Sequence, residues 1–137
     1  MGVAEEKLVM EFLGHGEGRE MDVDAIVAMM TDDVVFQANV PMRKPRVGRA
    51  AAREEIARGA AVATGDLDGE VLSMVSNDRF VFQERNTVFE MGGKRITLRL
   101  AAVFEIVDGQ IAVWREYYDS VDLARQLGID PSLVIEE

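Results

Sequence analysis

Between Arg95 and Val107 nearly every second residue is large and apolar: Ile96, Leu98, Leu100, Ala102, Phe104 and Ile106. Successive strand side chains point to opposite faces, so a period of two held over this length demands a long strand with one buried face. Gly92-Gly93 precedes it and Asp108-Gly109 follows it. Such pairs supply the positive φ angles that two-residue hairpins need. The strand-like segments Phe80–Met91 and Ile111–Tyr118 should therefore pair with it on either side. A further strand, Glu70–Val75, joins them through a turn at Asn77-Asp78. The second half of the chain reads as an antiparallel meander.

The first half has a helical period. Ala4–Leu13 reads as a helix with Leu8, Val9, Phe12 and Leu13 on one stripe, ended by Gly14, Gly16 and Gly18. Asp22–Met30 reads as a second, with Asp22 as N-cap and Ile26, Met29 and Met30 as its apolar side. A short strand, Val34–Phe36, follows an Asp32-Asp33 turn. Pro41–Arg46, with two prolines and three basic residues, reads as a solvated loop. An alanine-rich third helix runs from Ala50 to Ala63, after which Gly65, Asp66, Asp68 and Gly69 break the chain. A last helix near Val121–Leu127 ends at Gly128, with Pro131 beyond. Helices first and sheet second, with one early strand, make an α+β arrangement. The 137 residues carry no repeat or linker and are expected to form one domain, 1–137.

Charge and composition exclude several functions. The net charge of −10 opposes binding to nucleic-acid phosphates or anionic membrane surfaces. Cysteine is absent and there is one histidine, so neither thiolate chemistry nor a zinc site is expected. Only a loosely held Mg²⁺ on carboxylates stays open, and no metal or cofactor is expected. Residues 1–13 carry acids ahead of their apolar stretch and lack the basic leader of a signal peptide. No run approaches the ~20 apolar residues of a membrane span. A cytoplasmic protein is expected.

Strand parity then picks out a candidate site. In Phe80–Met91 one face carries Arg85, Thr87, Phe89 and Met91; in Ile111–Tyr118 one face carries Ala112, Trp114, Glu116 and Tyr118. If these faces join the apolar face of the long strand, Arg85, Thr87 and Glu116 are the polar groups in a greasy concavity. Buried charges must pair or be solvated, and they often mark a site. Glu116 is then a general base. Each residue also has a plainer reading. Arg85 could pair with any acid on a neighbouring strand. Thr87 is an ordinary strand residue. Asn39 could be a turn residue before Pro41, and His15 a solvated loop histidine. Gly59, Ala60 and Ala63 on the third helix leave room for a wide cavity.

Asp32-Asp33-Val34-Val35-Phe36, the Gly48-Arg49 helix start and the closing Gly109-Gln110-Ile111…Trp114-Arg115-Glu116-Tyr117-Tyr118-Asp119 resemble the nuclear-transport-factor-2-like (SnoaL-like) superfamily. Within it the chain resembles the limonene-1,2-epoxide hydrolase family, over roughly residues 6–128. The resemblance implies a cone-shaped, strongly curved mixed sheet, packed by three N-terminal helices around an apolar pocket. It implies cofactor-free addition of water to a small apolar epoxide. Glu116 would activate the water, Arg85 would bridge two carboxylates and Asn39 would help to hold the water. The pocket wall would include Phe36, Phe89, Leu98, Leu100, Trp114 and Tyr118. Two positions depart from the family pattern. The water-holding tyrosine is Phe36, and the proton-donating aspartate is Thr87, whose hydroxyl is far too weak an acid to replace a carboxylic acid. Related members are isomerases or polyketide cyclases with a single carboxylate base, and others are non-catalytic dimeric binding modules. The resemblance also implies a homodimer, with Ala101, Val103, Ile111, Val113 and Tyr117 on the outer face.

Overall fold

The computed structural model describes residues 2–18 and 20–136, and for residues 65–67 the backbone alone. Helix α1 (Val3–Gly14) and helix α2 (Val23–Ala28) come first, followed by strand β1 (Met30–Gln37), a two-residue strand β2 (Arg46–Val47) and helix α3 (Arg49–Val62). Four long strands then run in succession: β3 (Thr64–Ser76), β4 (Phe80–Met91), β5 (Lys94–Val107) and β6 (Gln110–Tyr117). Helix α4 (Ser120–Leu127) and a 3₁₀ turn, Pro131–Val134, complete the α+β chain. No helix of the described residues is long and apolar enough to cross a membrane.

The six strands form one curved open sheet in the order β2-β1-β6-β5-β4-β3. All neighbours are antiparallel except β1 and β6, which run parallel, so the sheet is mixed. The hairpins close where the turn chemistry requires. Gly92 and Gly93 have φ of 60° and 75°, and Asp108 and Gly109 have 51° and 73°. Two successive positive φ angles match the right-handed twist of the flanking strands.

The alternation in β5 is the spine of the core. Ile96, Leu98, Leu100, Ala102, Phe104 and Ile106 are buried, whereas Thr97, Arg99 and Ala101 between them are exposed. Val9 and Phe12 of α1, Ile26 and Val27 of α2, and Ala52 and Ile56 of α3 pack on one end of this face. The C-terminal helix joins the three N-terminal helices: Leu123 and Leu127 pack with Phe89, Ile96 and Leu98 at the other end. Asp22 caps α2 through Ala25 N–H, as its side chain suggests. Asp119 caps α4 through the amides of Val121 and Asp122.

Several local expectations need correction. Asp32 and Asp33 are not a turn: β1 runs through them, its register with β6 shifting between Met30 and Val35, and both side chains face solvent. Gly65 to Gly69 do not break the chain. They lie in β3, an edge strand whose register with β4 shifts between Thr64 and Asp68; edge strands and bulges tolerate poor strand formers. Ile111 does not lie on the outer face. Glu105 pairs with Val113 but Ile106 with Ile111, so Ala112 is an extra residue in β6. The bulge inverts the parity behind it and sends Ile111, fully buried, into the core.

Candidate functional site

Beyond the bulge, β6 presents Trp114 and Glu116 to the inner face. Trp114 pairs with Phe104 and Glu116 with Ala102, while on the other side of β5 Arg85 pairs with Leu100 and Thr87 with Leu98. Arg85 and Glu116 thus stand two strands apart, roughly 10 Å at ~4.8 Å per strand. Leu100 and Ala102 are two residues apart on β5, so the guanidinium reaches Glu116 diagonally across that strand.

Arg85 Nη2 donates to Glu116 Oε2. Its Nη1 donates to Gln83 Oε1 at 3.1 Å, and its Nε to Thr87 Oγ1 at 3.3 Å. The indole Nε1 of Trp114 donates to the same Glu116 Oε2 at 3.1 Å. Trp114 is itself held by a stacked Phe36, centroid to centroid 4.4 Å, and by the edge of Phe12 at 5.0 Å. Both donors to Glu116 go to Oε2, and Oε1 has no donor among the described residues. The carboxylate is therefore fixed by one oxygen and open at the other.

Two cavities meet at this group. The larger, about 370 Å³, is lined by Phe36, Phe89, Leu98, Leu100, Trp114 and Tyr118, together with Gly59 and Ala60 of α3 and Ala63 just past its end. The smaller, about 190 Å³, opens past Met10, Val71, Glu17 and Asp68. Arg85, Thr87, Trp114 and Glu116 line both. The larger volume and its apolar wall suit a small organic molecule.

The structure brings Glu116, Arg85 and Thr87 into one hydrogen-bonded group. Asn39 stands apart from it. It is buried, its Nδ2 donates to Ser120 Oγ at 2.9 Å, and its Oδ1 accepts from the Tyr118 backbone N–H at 3.4 Å. It lines neither cavity and clamps the junction of β6 and α4. His15 caps α1 and also lines neither. Tyr118 reaches the larger cavity. Burial raises its phenol pKa above the ordinary value of 10, and the Glu116 charge adds to this, while Arg43 and Asn39 pull the other way.

Two features of the site were not foreseen. Gln83 is 3% exposed and shares the parity of Arg85, but a lone glutamine carries no distinctive sequence signal. The basic loop is not solvated. Glu55 of α3 is buried, and its carboxylate accepts from Arg43 at 2.9 Å, Arg46 at 3.3 Å and Arg58 at 2.8 Å. Glu136, from the end of the chain, accepts from Arg46 Nη2 at 2.6 Å and from Lys44 N–H at 2.8 Å. The same segment brings Leu133 and Val134 to the wall of the larger cavity. The spacing of Glu55 from Ala52 and Ile56, on the buried stripe of α3, was the available signal. Among the described residues no group of three or more His, Asp or Glu could hold a metal ion.

The chain resembles known proteins in both sequence and fold. It is 29% identical over 106 residues to epoxide hydrolase EphG of Mycobacterium tuberculosis, covering 77% of this chain and 68% of that one. The solved structure of an M. tuberculosis LEH-like epoxide hydrolase superposes with a TM-score of 0.69 at 22% identity, over 88% of this chain and 90% of the other. The epoxide hydrolase/cyclase-like enzyme SalBIII, of pyran ring formation in the polyether salinomycin, gives 0.71 at 24% identity, over 85% and 92%. The SnoaL-like domain matches residues 17–114, which run from α2 through β1, β2, α3, β3, β4 and β5 to Trp114 in β6, and the chain accordingly belongs to the SnoaL-like domain family.

Proposed function

We propose that the chain is a cofactor-free enzyme that adds water to a small, mostly apolar epoxide, with Glu116 as the general base. One observation carries this reading. Arg85 and Trp114 hold Glu116 by Oε2, and its free Oε1 sits where an apolar cavity meets a second opening. A water on Oε1 would lose its proton to Glu116 as its oxygen attacks an epoxide carbon, and the carbon–oxygen bond of the ring would break. Arg85 neutralises the carboxylate and fixes its direction, so that little reorganisation is needed during attack. The epoxide hydrolase names of the relatives support the same chemistry.

The test is diol formation from a panel of terpene and aryl epoxides by the wild type and by Glu116→Gln. The wild type is expected to turn over, and the variant to lose roughly 10²–10⁴-fold in rate. Diol formation at the wild-type rate by Glu116→Gln would remove Glu116 from the chemistry. A second reading, a single-base isomerase or cyclase, has its own support: Thr87 stands where a second carboxylic acid would be, bonded to Arg85 Nε. Proton exchange on a carbon acid without any epoxide turnover would favour it. If the wild type catalysed neither reaction, the chain would be a binding module.

A further inference from the structure

Opening an epoxide with water leaves an alkoxide on the second carbon, and that oxygen must gain a proton. The Arg85 and Glu116 group supplies no acid for it. Thr87 accepts a hydrogen bond from Arg85 and its hydroxyl is too weak an acid. The Trp114 N–H is committed to Glu116. Glu55, the other carboxyl of the larger cavity, is taken up as acceptor by three arginines. Arginine does not release protons in proteins.

One acidic hydrogen on the wall of the larger cavity is left. We propose that the Tyr118 phenol donates it to the opened epoxide oxygen, acting as general acid opposite Glu116. This rests on the hydrolase reading above. Tyr118 lies two residues beyond Glu116 and faces the same cavity, with Cα atoms on the order of 7 Å apart. Both residues line the one cavity, into which a substrate would bring its epoxide within reach of base and acid.

The surroundings suit a reusable donor. Tyr118 packs between the two apolar clusters, which fixes its ring. Asn39 holds its backbone N–H, which gives that buried amide a purpose at the site. Burial and Glu116 keep the phenol protonated, while Arg43 and Asn39 are at hand to steady the phenolate once the proton has left. The balance closes in one turnover. Water loses a proton to Glu116 and bonds to carbon, the ring carbon–oxygen bond breaks, and the alkoxide takes the Tyr118 proton. The proton on Glu116 then returns to the phenolate through solvent, leaving a diol and the starting enzyme.

The experiment compares wild type, Tyr118→Phe, Thr87→Val and Glu116→Gln on an alkyl epoxide and on trifluoromethyl oxirane, with thermal melts as the check on folding. Tyr118→Phe should melt like the wild type and lose about 10²-fold in kcat on the alkyl epoxide, with KM within about twofold. The loss should shrink by about tenfold on the fluorinated substrate, whose alkoxide is a weaker base and needs the acid less. Thr87→Val should lose far less. A wild-type rate for Tyr118→Phe, or a larger loss for Thr87→Val, would overturn the proposal while leaving Glu116 as base. A Glu116→Gln variant that still made diol would overturn the base assignment instead, and a wild type that made none would overturn both.

Discussion

The guanidinium of Arg85 has three acceptors, Glu116, Gln83 and Thr87, and two of them sit on its own strand. The direction of the Gln83 amide is set by its other end. Its Nε2 meets only the sulfurs of Met10 and Met74, at 3.7 Å and 3.6 Å. Thioethers are weak acceptors, so the carbonyl oxygen is what the buried site offers to Arg85. Gln83→Leu would leave a buried N–H of the guanidinium without an acceptor. The expected cost is about 1–3 kcal/mol in urea unfolding, with kcat down between about 10- and 100-fold as Arg85 swings from its place. Unchanged kcat in a folded Gln83→Leu protein would show that Arg85 needs no such support. Glu116, Arg85 and Thr87 could be read from strand parity alone. Gln83 shares that parity and went unread, because an amide becomes informative only once its neighbour is known.

At the scale of the element, the 3₁₀ turn Pro131–Val134 brings Leu133 and Val134 to the wall of the larger cavity and is followed by Glu136, which ties the segment to the basic loop. Arg46, as hydrogen-bond donor, holds the Glu136 carboxyl from the ordinary 4.5 down to about 2, helped by the Lys44 N–H and by the charges of Arg43 and Arg46. A pKa lowered on folding means that the tie contributes fully above pH 4.5 and is lost as pH falls through about 2. Amide exchange over residues 132–136 should be protected at neutral pH and lose that protection towards pH 2. Glu136→Gln should show the faster exchange already at neutral pH. Equal protection in the variant would mean that the apolar contacts of Leu133 and Val134 hold the turn without the ion pair. This closure joins residues some 90 positions apart, which no local pattern in the chain reveals.

At the scale of the molecule, the outer face of the sheet leaves Val75, Phe82 and Tyr117 exposed. The homodimer implied by the family resemblance would bury this face, with Ala101 and Val113 beside those residues; Val103, expected there too, is already buried within the single chain, and the bulge has taken Ile111 into the core. Light scattering at micromolar concentration is expected to give twice the mass of the chain, and Phe82→Asp should return it to the single mass. A monomeric wild type would overturn the expectation.

The amino-acid sequence by itself determined the main helices and strands and the face that β4 and β5 bury. Strand parity, hairpin glycines and helical stripes are local, and the free energy behind them is the burial of apolar area along one segment. From these alone came the meander, the inner face of β5, and Arg85, Thr87 and Glu116 on its two neighbours. Only the tertiary structure decided which strand β1 would join, where the bulge at Ala112 falls, and which carboxylate the arginines of the loop would meet. Those are pairings between distant segments. Their register is set by the fit of whole surfaces, and one extra residue in a strand is enough to move every side chain behind it to the other side.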